Sequence, residues 1–183
     1  MKILAMSGSL RKDSYNTAVL QALGHLAPDG VDVIVYDGMG ELPLFNPDRE
    51  NEQIPAVVKF KRLVNEAEGM VIASPEYAHG ISGVMKNALD WLVSGEEFVF
   101  MPLMLINTSP RAYHAQQALR EVLVTMSGVI VESSCVSVPL LGSNMQAADI
   151  VDDQDINTEL QCRLKIFIDA VRRRGRRSVH GER

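Results

Sequence analysis

Ten residues near the start of the chain, Ser7-Gly8-Ser9-Leu10-Arg11-Lys12-Asp13-Ser14-Tyr15-Asn16, most constrain what it can fold into. They follow a strand-like run, Lys2 to Met6, and they open a helix with apolar residues at Tyr15, Ala18, Val19, Ala22, Leu23 and Leu26. That spacing of three and four is the repeat of one helical face. A strand, a short loop of small hydroxyl residues and a helix N-terminus together make an anion site. The N–H groups of the first helical turn lack intrahelical acceptors, and the helix dipole favours negative charge beside them. Ser9, Ser14 and Asn16 add neutral donors. Arg11 adds a planar cationic fork that matches phosphate oxygens.

Strand and helix patterns then alternate to the end. Val31 to Tyr36 reads as a second strand, and Asp37 to Pro55, with Gly38, Gly40, Pro43 and Pro47, as a long surface connection. A helix runs from about Ala56 to Glu68, ended by Gly69, and a short buried strand covers Met70 to Ala73. The loop Ser74 to Gly83 leads into a helix carrying Met85, Ala88, Leu89 and Leu92. Met101 to Ile106 is a fourth strand, followed by the loop Asn107 to Arg111 and a helix with Ala115, Ala118, Leu119, Val122, Leu123 and Met126 in register, closed by Gly128. Val129 to Val138 supplies a fifth strand with a break near Ser133-Ser134; Pro139 to Asp155 is loop, and a last helix spans about Ile156 to Arg173. Neither an internal repeat nor a linker is visible, so residues 1–183 read as a single domain.

Alternation of this kind implies a parallel sheet covered on both faces. The unbroken apolar strands at 70–73 and 101–106 agree, because central parallel strands are buried on both sides. In a five-stranded sheet of order 2-1-3-4-5, the loops after strands one, three and four lie side by side at the carboxyl ends, where such folds bind their ligands. Composition adds exclusions. A net charge of −5 argues against general nucleic-acid binding, and no apolar run approaches a membrane span. Two cysteines, Cys135 and Cys162, have no metal-ligand or redox spacing, and the strand beginning at Lys2 leaves no room for a signal peptide; the expectation is a cytoplasmic protein. The basic run Arg172-Arg173-Arg174-Gly175-Arg176-Arg177 is best read as cations gathered at a helix C-terminus.

The second loop reads Ser74-Pro75-Glu76-Tyr77-Ala78-His79-Gly80-Ile81-Ser82-Gly83 and continues into Val84-Met85-Lys86-Asn87-Ala88-Leu89-Asp90-Trp91-Leu92. A Pro- and Gly-constrained turn of this kind exposes backbone groups able to meet the edge of a flat heterocycle, and Tyr77 can cover a face. Trp91, in helical register, reads as ordinary packing. Taken together, the G-S-L-R-K-x-S-x-N run after strand one and the S-P-E-Y…G…K-N-A-L-D-W-L run after strand three resemble the NADPH-dependent FMN reductase family, from Lys2 to about Gly128. That family includes quinone, chromate and azo-dye reductases.

The resemblance implies a flavodoxin-like three-layer α/β sandwich, non-covalent FMN, and NADPH or NADH as co-substrate. Carried onto this chain, Ser9, Arg11, Ser14 and Asn16, with Leu10 and Tyr15 in the same run, hold the phosphate. Pro75, Glu76, Tyr77 and Ala78 line the isoalloxazine ring, mostly through backbone groups, and Ser109 approaches it from the third loop. Ala78 stands where the family often has Asn. Pro110-Arg111-Ala112 stands where paired glycines are usual, which puts Arg111 near the incoming nicotinamide nucleotide. The flavin carries the chemistry, so no side chain is expected to act as acid, base or nucleophile, and no metal is expected. The partners expected are a small electron acceptor, neither nucleic acid nor membrane, and a second copy of the chain in a homodimer or homotetramer. For the dimer, Trp91, Leu92, Phe98, Val99 and Phe100, together with Leu42, Leu44 and Phe45, are too apolar for simple surface.

A flavodoxin-type electron carrier without turnover of its own is the main alternative, but a Thr-rich phosphate loop with a Gly-Asn pair is absent. A Rossmann dinucleotide domain needs a G-x-G-x-x-G that does not follow the first strand. A receiver-type signalling domain needs clustered acids where this chain has Ser7 and Gly8.

Overall fold

The structure is a computed structural model that describes the backbone of residues 1–180 and the side chains of residues 1–174. Its elements are β1 (Lys2–Ser7), α1 (Tyr15–His25), β2 (Asp32–Val35), α2 (Pro55–Glu66), β3 (Gly69–Ala73), β4 (Glu76–Tyr77), β5 (Gly80–Ile81), α3 (Gly83–Asp90), β6 (Pro102–Asn107), α4 (Tyr113–Thr125), β7 (Val129–Ile130), β8 (Val136–Ser137), α5 (Ala147–Asp152) and α6 (Gln154–His180). The main sheet runs β2-β1-β3-β6-β7, all parallel, with β8 also paired to β6. This is the expected order.

Period-two alternation divides the central strands between two cores. Leu4, Met6, Met70, Ile72, Leu103 and Leu105 face Phe60 and Val64 of α2, Met85 and Leu89 of α3, and Leu119 and Leu123 of α4. Ile3, Ala5, Val71, Ala73, Met104 and Ile106 face Val19 and Leu23 of α1, Ile150 of α5, and Leu160, Leu164 and Phe167 of α6. Three layers result.

The fifth strand divides around a turn at Glu132–Ser134, close to the expected break. β6 pairs with β7 at Pro102 and Leu103, and with β8 at Ile106 and Asn107. In the gap, the Leu105 N–H is accepted by the Cys135 thiol at 3.4 Å, and Arg163 donates to the Ser133 carbonyl at 2.9 Å. A side chain therefore replaces a missing rung of the ladder. Burial, the main influence, pushes the Cys135 thiol pKa up.

Three local expectations differ. The stretch 139–155 contains α5, closed at its start by a capping box between Gln146 and Asp149. A six-residue helix is too short to display a 3.6-residue period. Gly69 begins β3 instead of ending α2: Ala67 turns the chain with extended angles, and a Cβ on Gly69 would sit 2.9 Å from the Phe167 ring. Gly69 thus serves close approach of α6. The connection 37–54 is not plain loop. Its Met39 and Leu42 are buried, and Asn87 anchors it, accepting the Phe45 N–H at 2.8 Å and donating to the Pro43 carbonyl at 3.0 Å.

Trp91 is buried, donates to the same Pro43 carbonyl at 2.8 Å and meets Phe45 edge-on at 5.1 Å. Leu92 and Phe98 are buried as well, whereas Leu44, Val93, Val99 and Phe100 remain exposed. The apolar residues expected at a subunit contact therefore divide between core and surface. Arg172, Arg173 and Arg174 lie exposed on α6, and the side chains of Arg176 and Arg177 fall outside the described residues.

Candidate functional site

A crevice of about 340 Å³ opens where the loops after β1, β3 and β6 meet. Those strands are neighbours in the sheet, so three loops distant in sequence share one edge. The volume lies in the usual range for small-molecule sites.

The first loop is held largely by its own hydroxyls. Ser7 Oγ lies 2.8 Å from Thr17 Oγ1, and Ser9 Oγ accepts the Arg11 N–H at 3.3 Å. Ser14 caps α1, its Oγ accepting the Thr17 N–H at 3.4 Å. The N–H groups of Tyr15 and Asn16, first and second in the helix, have no intrahelical acceptor. Gly8 brings this loop close to the second. Its N–H donates to the Ala73 carbonyl at 2.8 Å, and a Cβ there would lie 2.3 Å from Ser74 Oγ. Arg11 is exposed on the crevice, and none of the ion pairs found among the described residues involves it.

The third loop repeats part of that device. Asn107 Oδ1 accepts the Ser109 N–H at 3.1 Å, and Ser109 Oγ accepts the Arg111 N–H at 3.3 Å. Ser-x-Arg thus forms the same small turn on both sides, presenting two guanidinium groups. Buried Thr108 donates to Asn16 Oδ1 at 3.1 Å and ties the first loop to the third.

The second loop folds as the hairpin β4–β5, with Glu76 opposite Ile81 and Tyr77 opposite Gly80. Its two turn residues, Ala78 and His79, have φ of 49° and 60°, as a type I′ turn requires. Glu76 Oε2 accepts the Ala115 N–H at 2.8 Å, and Oε1 lies 3.0 Å from His79 Nδ1. The Ala115 bond is the main reason the Glu76 carboxyl pKa lies below its usual 4.5; burial opposes the shift, while the His79 bond and the charges of His114 and His79 add to it. Tyr77 lines the crevice and is 57% exposed.

Of the residues expected to form the site, Ser9, Arg11, Ser14, Tyr15, Asn16, Pro75, Glu76, Tyr77 and Ser109 line this one crevice. Leu10 and Ala78 lie outside the lining. Leu10 is exposed and sits close to Gly40, and Ala78 is at the hairpin tip. The Asn16 side chain is committed to Thr108 rather than free. Also in the lining are Asp13, Ser74, Asn107, Thr108, Ala112, Leu141 and the anticipated Arg111. Most belong to loops already read as functional. Leu141 does not: it comes from the segment after β8, brought over the site where the Asn144 N–H donates to the Tyr15 hydroxyl at 3.1 Å.

The donor set suits a phosphorylated flat heterocycle: a guanidinium, hydroxyls and helix N–H groups at one end, a hairpin with an aromatic ring at the other. Comparison with known proteins agrees. Residues 1–141 match the family model described as NADPH-dependent FMN reductase. An NAD(P)H-dependent FMN reductase of Pseudomonas aeruginosa is 37% identical over 130 residues, covering 68% of this chain and 70% of that protein. An NADPH azoreductase of a Bacillus species is 28% identical over 181 residues, covering 96% of this chain and 99% of that protein. The solved structure of a flavoenzyme NAD(P)H:(acceptor) oxidoreductase from Paracoccus denitrificans superposes with a TM-score of 0.75 at 23% identity, over 94% of this chain and 97% of that one. That likeness establishes the flavodoxin-like fold.

Proposed function

The chain belongs to the NADPH-dependent FMN reductase family, and we propose that the crevice above is where it holds FMN. It is an FMN-dependent NAD(P)H oxidoreductase. Bound FMN supplies the two-electron chemistry, accepting a hydride from NAD(P)H and passing the electrons to a small acceptor. The protein's part is position and electrostatics.

Arg11, Ser9, Ser14 and the N–H groups of Tyr15 and Asn16 bind the phosphate, whose charge meets a guanidinium and a helix N-terminus. Pro75, Glu76 and Tyr77 form one wall for the ring, and Ser109 approaches from the third loop. Leu10 and Ala78, outside the lining, belong to the site through the turns they complete. Arg111 meets an anionic group of the nicotinamide nucleotide, since a single FMN phosphate leaves the second guanidinium available. The observation that carries this reading is the pair of Ser-x-Arg turns facing one crevice. Acceptors are quinones, azo compounds, chromate or free flavin, any of which can use the place the nicotinamide vacates.

Residues 1–183 act as one domain in the cytoplasm. Among the described residues no helix is long and apolar enough to cross a membrane. The functional unit is a homodimer, or a homotetramer of paired dimers, joined through exposed Leu44, Val93, Val99 and Phe100. Active protein running at its chain mass of 20.2 kDa in light scattering would remove the dimer.

The central test is spectroscopic. Purified protein should carry visible flavin absorbance, released as FMN on denaturation, and anaerobic NADPH or NADH should bleach it, with recovery on adding a quinone. A colourless protein that neither binds added FMN nor catalyses NAD(P)H oxidation with it would overturn the reading.

A further inference from the structure

Helix α4 begins without a cap of its own. Ala112, at its N-cap position, has φ −86° and ψ 42° and offers no side-chain acceptor. The Ala115 N–H, third in the helix, would normally be satisfied by a Ser, Thr, Asp or Asn at that position. Here the acceptor is Glu76 Oε2 at 2.8 Å, 39 residues earlier in the chain. A carboxylate there also meets the positive end of the α4 dipole. The second carboxylate oxygen is used as well, 3.0 Å from His79 Nδ1, and the Glu76 side chain is only 12% exposed.

Each end of this bridge carries a wall of the crevice. Pro75 and Tyr77 flank Glu76 on one side, and Arg111 and Ala112 immediately precede α4 on the other. The hairpin between needs an external tie. Ala78 and His79 both hold left-handed backbone angles, which a side chain with a Cβ adopts reluctantly. A second contact joins the same two segments: the rings of His79 and His114 meet edge to face, centroids 4.5 Å apart.

We propose that Glu76 is the positioning residue of the ring half of the site: its carboxylate fastens the β4–β5 hairpin to the N-terminus of α4 and so sets the spacing between the two walls that receive the isoalloxazine. This rests on the assignment of the crevice to FMN. Glu76 acts through Tyr77, Arg111 and Ala112, and its carboxylate makes no demand on the flavin itself.

The test titrates FMN and riboflavin, which lacks the phosphate, into the flavin-free full chain. It compares the parent with Glu76→Ala, Glu76→Gln and Arg11→Ala, and records the visible circular dichroism of the bound flavin. Glu76→Ala should weaken both flavins by the same factor, roughly tenfold for loss of a hydrogen bond to a charged group, and should alter the dichroism. Glu76→Gln, whose amide oxygen still accepts from Ala115, should recover most of the binding. Arg11→Ala should weaken FMN and spare riboflavin. If Arg11→Ala leaves the preference for FMN over riboflavin intact, the placement of FMN fails. If that preference falls but Glu76→Ala binds both flavins as the parent does, or Gln recovers nothing, the positioning role is overturned. Should Glu76→Ala not fold, Glu76→Leu keeps most of the side-chain volume while offering no acceptor to the Ala115 N–H, and must produce the same equal loss; parental binding there also overturns the role.

Discussion

In the first loop Ser9 Oγ accepts an N–H two residues away and Ser14 Oγ accepts one three residues away, whereas across the crevice Glu76 reaches 39 residues to Ala115. Each region holds its backbone for a ligand, but by different means. The hydroxyl caps of the phosphate side all lie within β1, α1 and the loop between them, and its remote ties, to Ala73, Thr108 and Asn144, reach it through Gly8, Asn16 and Tyr15. The hairpin side exists only when β3, β6 and α4 are already packed, because its anchor belongs to another element. A local device tolerates change elsewhere in the fold; a remote one makes the ring wall depend on the register of the whole sheet edge.

The contrast predicts how the two sides fail. The largest effect is expected from Arg11→Ala, which removes a charge-assisted contact contributing about 1.5–3 kcal/mol, or roughly 10- to 100-fold in FMN affinity. Because Arg11 is exposed and joins none of the ion pairs found among the described residues, the thermal midpoint of the flavin-free protein should not move. Equilibrium dialysis against FMN beside a melting curve checks both. A fall in the flavin-free midpoint would mean that Arg11 also holds the fold, and not only the phosphate.

That distinction also decided what could be read beforehand. The helix start at Tyr15, the apolar period of α1 and the strand order rest on residues close in sequence or on alternation along a strand. The same holds for Trp91 as core and the break near Ser133-Ser134. Glu76 was visible as part of a Pro-Glu-Tyr turn, but its bond to Ala115 was not, since nothing around Ala115 marks it as a residue needing an acceptor from elsewhere. Asn16 is a similar case. Its place at the start of α1 was legible, but its commitment to Thr108, 92 residues on, required the tertiary fold. Leu141 reaches the crevice from a segment whose helix α5 is too short to leave a period.

A smaller effect is expected where the two regions join. Thr108 Oγ1 and Asn16 Oδ1 are both buried, so Thr108→Val keeps the shape and leaves an amide oxygen without its donor. An unsatisfied buried acceptor costs about 1–3 kcal/mol, which lowers the midpoint of a domain this size by several degrees. The pattern should invert that of Arg11→Ala: stability falls in the flavin-free chain, while the ratio of FMN to riboflavin affinity stays at the parental value. A changed ratio would place Thr108 in the phosphate site instead of between the loops.

The smallest effect separates the regions by pH. Ties on the phosphate side are hydroxyls and a guanidinium, which keep their charge state in acid. The hairpin side depends on a carboxylate whose pKa is held below its usual 4.5, chiefly by the Ala115 N–H. A carboxyl with a lowered folded pKa contributes stability that is fully present above the unfolded value and is lost as the pH falls through the folded one. His79 and His114 also face this carboxylate, His79 Nδ1 at 3.0 Å from Oε1. Other carboxylates titrate too, Glu66 beside Lys2 among them, so the informative quantity is a difference. The midpoint of the parent minus that of Glu76→Gln should be positive near neutral pH and should shrink as acid protonates Glu76. A difference that holds constant down to about pH 3, below the carboxylate range, would mean the charge on Glu76 contributes nothing to the bridge and that its bond to Ala115 is no stronger than an amide's.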